Sequence, residues 1–304
     1  MGQNDFTNYF NIKDNRYFYK NNLIGNVYLT YYPKVTFAEP NTESTISHMD
    51  VYTTKDNKND ITYSLNNHLY RCDDFNKEQA KDNYLYSGCS YTFGTGLPYE
   101  SLWALNLNRN LNGTKFFNLA MHGASYDQII NDAYDYIRLF GKPKAIFLLL
   151  PNLERIPSFD YHDGKPYMRN SHVKTYEGDT YRLFFKHTQP EILVYRFYKL
   201  LQQFEEYCRL QNIPLIWTTW DLQFDKVITN CLEFDNFFSL FSDEKVAMAL
   251  EVDKMTNDVV EDPMAKRYFY KARDPHPSGR TNIFYQKAFE LEWKRYCEKA
   301  NIES

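Results

Sequence analysis

The sequence predicts an α/β fold: a three-layer α/β/α sandwich on a mainly parallel sheet. Three observations lead there. From Tyr84 onward, short apolar runs alternate with amphipathic stretches, a rhythm that belongs to parallel sheets covered on both faces. One run, Ala145-Ile146-Phe147-Leu148-Leu149-Leu150, is apolar throughout, as a strand buried on both faces must be. The first and third runs end in Gly88-Cys89-Ser90 and Pro151-Asn152, and open sheets of this kind carry their reactive groups at the carboxyl ends of strands.

The 304 residues suffice for one large domain or two small ones. Residues 1–80 are polar, rich in Asn, Asp, Lys and Tyr, and read as an extension with short strands at Val27–Tyr32 and Val51–Thr54. Residues 81–304 carry the α/β pattern. Its first strand runs into Ser90, and a helix is expected over Tyr99–Asn110. Lys115–Ala120 is the second strand, followed by Met121-His122-Gly123-Ala124. Ser125 can cap a helix whose apolar face is Ile129, Ile130, Ala133 and Ile137 and which Gly141-Lys142-Pro143 stops. The stretch from about 156 to 189, broken by Pro157, Gly164, Pro166 and Gly178, reads as an insertion, a hairpin over the site. A long helix follows from Pro190 to about Gln211, with Leu193, Phe197, Leu200, Leu201, Phe204 and Tyr207 as its core stripe. Ile213–Trp220 is the next strand, Phe224–Phe269 is mixed, and Thr281 to about Lys299 closes the chain as a helix.

Composition narrows the function. A formal net charge of -4 supplies no attraction for nucleic acid or an anionic membrane. No basic and apolar leader opens the chain, and the longest apolar run is strand-sized, so a cytoplasmic protein is expected. The Asn-, Lys- and Tyr-rich composition would suit a viral or AT-rich microbial source. The five cysteines (72, 89, 208, 231, 297) form neither a disulfide framework nor a metal pattern. Asp160, His162 and Asp163 are close in sequence but lack a further ligand, so neither a metal nor a cofactor is expected.

Four polar positions each follow a strand or sit in a loop: Ser90, Gly123, Asn152 and His276. Acyl transfer needs such a set. A serine must lose its proton to a neutral imidazole, the imidazole needs an acceptor to hold its tautomer, and the developing oxyanion needs fixed donors. Taken singly, each has an ordinary reading. Ser90 and Asn152 can cap helices, Gly123 can serve a turn, and His276 can sit in a Pro-framed surface loop.

The same residues carry a family resemblance. Gly88-Cys89-Ser90-Tyr91-Thr92-Phe93-Gly94 resembles the first block of the SGNH/GDSL hydrolases, and Asn118-Leu119-Ala120-Met121-His122-Gly123-Ala124-Ser125 resembles the second. Pro151-Asn152 falls where the third block lies, and Asp274-Pro275-His276-Pro277-Ser278 resembles the last. Thr62–Phe75 faintly resembles the lead-in of some members. The blocks keep the family's order over about residues 80–300. The resemblance implies a flavodoxin-like SGNH-type sandwich with Ser90 as nucleophile, His276 as general base and Asp274 as its orienting acceptor. It implies an oxyanion hole made by the Ser90 and Gly123 N–H groups and the Asn152 amide.

Departures accompany it. Cys89 stands where the family has Asp, Leu153 replaces the Asp after the third-block Asn, and Asp274 lies two positions before His276 rather than three. A Ser–His dyad is the alternative to a triad. His122 and Tyr91 are candidate substrate-lining residues. The expected activity is a serine-dependent ester hydrolase that removes a small acyl group such as acetyl from a carbohydrate or another polar acceptor. The alternatives are an acyltransferase using the same residues and an inactive binding or structural protein on the same fold.

Overall fold

The computed structural model describes residues 43–46, 61–68, 70–95, 97, 99–153, 155–162, 165–172, 190–255, 277 and 279–301. The strands expected at 27–32 and 51–54 lie outside these residues. Two others are present, β1 (Glu43–Ile46) and β2 (Ile61–Ser64), paired antiparallel.

The sheet begins with β3 (Leu85–Gly88), which leads into a single helical turn, α1 (Ser90–Phe93). After a 3₁₀ turn at Tyr99–Ser101 comes α2 (Trp103–Asn110). The helix expected over Tyr99–Asn110 is therefore divided, because Leu102 is extended at φ -68, ψ 127. β4 (Phe117–Asn118) is shorter than expected; its pairing with β3 continues through Leu119 N–H to Tyr86 O and Met121 N–H to Gly88 O. α3 (Tyr126–Phe140) starts where Ser125 Oγ accepts from Gln128 N–H and stops at Gly141.

Next come β5 (Ile146–Leu150) and an antiparallel hairpin, β6 (Arg155–His162) with β7 (Lys165–His172), within the expected insertion. α4 (Pro190–Leu210), β8 (Leu215–Thr219), α5 (Leu222–Cys231), α6 (Asp243–Met255) and α7 (Gly279–Ala300) complete the described chain.

The parallel sheet has the order β4-β3-β5-β8. The chain steps from β3 outward to β4, then passes back over β3 to β5 and on to β8. Crossovers of one hand that run in opposite directions must lie on opposite faces, so α2 covers one face and α3 with α4 cover the other. Side-chain alternation agrees. Tyr86 and Phe147, paired in register, point toward α2 and α7: Tyr86 meets Trp103 at 5.9 Å and Phe147 meets Trp293 at 5.8 Å. Phe117 and Trp217 point the other way, to Tyr136 of α3 at 6.0 Å and Phe197 of α4 at 5.9 Å. The expected α4 stripe is core, with Leu193, Phe197, Leu201 and Phe204 buried. α2 and α7 close the other face through Trp103 stacked on Phe289, 4.5 Å apart and 7° from parallel. This is a mainly parallel α/β fold with helices on both faces. Among the described residues no helix is long and apolar enough to cross a membrane.

Candidate active site

The strand order reverses between β3 and β5, and open α/β sheets form their crevice at the carboxyl ends of the two strands flanking such a reversal. Ser90 follows β3 and Asn152 follows β5 at this point, while Gly123 follows β4 on the other side of β3. Neighbouring strands are about 4.8 Å apart, so the three positions share roughly 10 Å of one sheet edge.

The turn at Ser90 is built by local sequence. Gly88 ends β3, where a Cβ would collide with Thr92 Oγ1 and lie 2.7 Å from the Leu149 carbonyl oxygen. Only glycine lets the helical turn double back against β5. Cys89, extended at φ -92 and ψ -155, is the N-cap; its carbonyl accepts from Thr92 and Phe93 N–H. Gly94 ends the turn in the left-handed region at φ 77. Ser90 thus opens a helix, and the first N–H groups of a helix have no carbonyl within it to bond. The Cys89 side chain is fully buried, turned into the core.

Gly123 has φ +68, and a Cβ built there would meet nothing within 4 Å. The residue type is therefore set by backbone conformation and not by crowding, and the position faces open space. Asn118 ties this segment to the Ser90 turn: its Oδ1 accepts from Ala120 N–H at 3.0 Å and its Nδ2 donates to Thr92 O at 3.4 Å. His122 joins the same contact through Nδ1 and Thr95 Oγ1, 2.7 Å apart, with its ring 4.0 Å from that of Phe93. Asn152 is half-buried behind the buried Pro151. Tyr91 is buried and stacks on Trp220 just past β8, with centroids 4.4 Å apart.

Asp274 and His276 lie outside the described residues, as does Asp163 of the Asp160, His162 and Asp163 group. Their flank is described. Pro277 is buried, and the first turn of α7 is tied to the start of α2 by Trp103 N–H donating to Asn282 Oδ1 at 3.1 Å. α2 starts at the carboxyl edge of the sheet, so α7 does too. Among the described residues no group of three or more His, Cys, Asp or Glu side chains could hold a metal ion.

Three residues at this edge carry no motif. Arg71, fully buried, donates from Nη1 to the carbonyls of Phe93 (3.0 Å) and Gly94 (2.9 Å) and from Nη2 to that of Leu97 (2.8 Å). Its guanidinium lies 5.6 Å from the Phe93 ring centre and 5.8 Å from that of Tyr99. Trp220 and Arg155 form the second feature, with the Arg155 guanidinium 5.7 Å from the indole centre. The only sequence hint of Arg71 was its place in the Thr62–Phe75 lead-in; Trp220 and Arg155 had none.

No family model matches the chain, and no curated protein matches it. Among solved structures, a GDSL-like lipase from Bacteroides thetaiotaomicron is similar at 12% identity and a TM-score of 0.34, over 72% of this chain and 89% of that one.

Proposed function

We propose that this protein is a serine-dependent ester hydrolase of the SGNH type, removing a small acyl group such as acetyl from a carbohydrate or other polar acceptor. One observation carries the reading. Three residues that the motif order ranks as nucleophile and oxyanion donors follow three adjacent parallel strands at the reversal of strand order. In the proposed reaction Ser90 Oγ attacks the ester carbonyl and His276 takes its proton. The oxyanion is held by the N–H groups of Ser90 and Gly123 and the Asn152 amide. His276 then returns the proton to the departing alcohol, and water repeats the sequence on the acyl-enzyme. Asp274 orients the imidazole, and His122 and Tyr91 border the substrate. The positive φ at Gly123 and the open space where a side chain would stand support a place close to a ligand. Buried Pro277 and the anchored first turn of α7 support His276, which lies one residue before that proline.

The test is hydrolysis of an activated acetyl ester by the wild type beside Ser90→Ala, His276→Ala and Asp274→Asn. Loss of at least about a thousandfold in the first two is expected, from removal of nucleophile or base. Equal background rates in all four folded proteins would refute the hydrolase reading and leave a binding protein. Asp274→Asn separates triad from dyad.

A further inference from the structure

At the carboxyl edge, Tyr91, Trp220 and Arg155 form one stack: ring on ring at 4.4 Å, then guanidinium on ring at 5.7 Å. The three come from different segments. Tyr91 adjoins Ser90, Trp220 follows β8, and Arg155 begins β6 three residues after Asn152. The stack therefore borders the crevice between the ends of β3, β5 and β8.

Its donors are left over. Arg155 Nη1 and Trp220 Nε1 are both buried, and among the described residues neither meets a hydrogen-bond acceptor. A buried N–H without a partner is costly, and more so when it belongs to a cation. Other buried tryptophans of this chain leave an N–H unmet within the core, but Trp220 does so beside an arginine at the crevice. Arg155 is half-buried, with Nη1 covered and the rest of the residue partly open to solvent. Among the described residues no ion pair to its guanidinium is present, and the ring it lies over is that of Trp220. A planar guanidinium fork with an indole N–H beside it suits an oxygen anion, which can accept from both.

We propose that Arg155 and Trp220 Nε1 form an anion subsite that binds an anionic oxygen group of the substrate, a carboxylate, sulfate or phosphate, while the ester lies at Ser90. The inference rests on the hydrolase reading for its place in the reaction, but binding of the anion does not. Tyr91 holds the indole plane, and the aliphatic stem of Arg155 starts from the strand that follows Asn152. The substrate is thus an ester whose acyl or alcohol part carries a negative charge near the scissile bond. A neutral ester lacks this contact.

The experiment is a titration of the full-length, ¹⁵N-labelled protein with sodium sulfate, ionic strength being held with sodium chloride. Four indole N–H signals are expected, and Trp220 is the one missing from Trp220→Phe. Its signal should move and saturate with a midpoint of about 10 mM or lower. The midpoint should rise at least about tenfold in Arg155→Gln, with Arg155→Lys, which keeps the charge but not the fork, in between. A Trp220 signal that does not respond, or responds equally in Arg155→Gln with an otherwise wild-type spectrum, would overturn the subsite. Should Arg155→Gln not fold, Arg155→Lys decides by the same criterion. Sodium acetate and sodium phosphate titrated in parallel tell a carboxylate from a tetrahedral anion. If the wild type cleaves no ester, the hydrolase reading falls while the titration still decides the subsite. If it does, sulfate should raise KM for the acetyl ester, and less so in Arg155→Gln.

Discussion

Replacing Arg71 by methionine tests how the Ser90 turn is held. The side chain keeps its apolar stem but loses every donor, leaving the buried carbonyls of Phe93 and Leu97 without one, while Gly94 O keeps Leu97 N–H at 3.1 Å. An unsatisfied buried acceptor costs about 1–3 kcal/mol. With Phe93 O and Leu97 O left without a donor, the expected loss is about 4 kcal/mol. Burial of the guanidinium itself is already contained in such net values. A domain has about 5–15 kcal/mol in all, so the variant should fold with a lower urea midpoint and an unchanged m-value. Arg71→Lys, one compact donor in place of a fork, should recover part of the loss. The readout is urea unfolding followed by tryptophan fluorescence. With Ser90 as the proposed nucleophile, the rate of its covalent labelling by an active-site phosphonate should fall in parallel, since the turn carrying Ser90 ends at these carbonyls. A loss below about 1 kcal/mol with unchanged m would refute the reasoning, because it would mean the Phe93 and Leu97 carbonyls find other donors at no cost.

Gly88→Ala places a methyl group against the Leu149 carbonyl oxygen of the adjacent strand and against Thr92; backbone cannot yield as a side chain can, and a loss of about 1–3 kcal/mol is expected in the same urea assay. Glu205 accepts from Trp217 Nε1 (2.8 Å) and Asn236 N–H (3.2 Å), yet burial, outweighing these bonds, raises its pKa above the ordinary 4.5. The folded protein therefore holds this proton to higher pH than the unfolded chain, and the group's contribution is present below pH 4.5 and is lost as pH rises through the folded value. Glu205→Gln keeps an oxygen acceptor for both bonds, so its stability relative to wild type should rise as pH increases from 4.5 through the folded value; a difference that stays flat or falls would contradict the assignment.

Much of the framework was legible in the chain. β5 was readable as a continuous apolar run, α3 from its Ser125 cap and Gly141 stop, and α4 from a period whose Leu193, Phe197, Leu201 and Phe204 are buried while Leu200 and Tyr207 are half-buried. Ser90, Gly123 and Asn152 were readable from block order, because each follows a strand whose apolar run marks its end. α1 was not readable: four residues are too few to show a helical period. Nor was the break at Leu102, since the residues on either side of it fit a single helix.

Local signals within a few residues, caps, glycines and apolar spacing, thus determined the element types, the parallel class and the strand-end positions of the candidate site. Only the tertiary structure decided what those positions share. The sheet order brings β3 beside β5 across α1, α2, β4 and α3, which is what sets Ser90 and Asn152 at one crevice. Arg71 meets carbonyls 22 to 26 positions away, and Arg155 meets Trp220 from across α4 and β8. Such contacts leave no periodic mark on the sequence, because their partners are chosen by the path of the fold and not by neighbours along the chain.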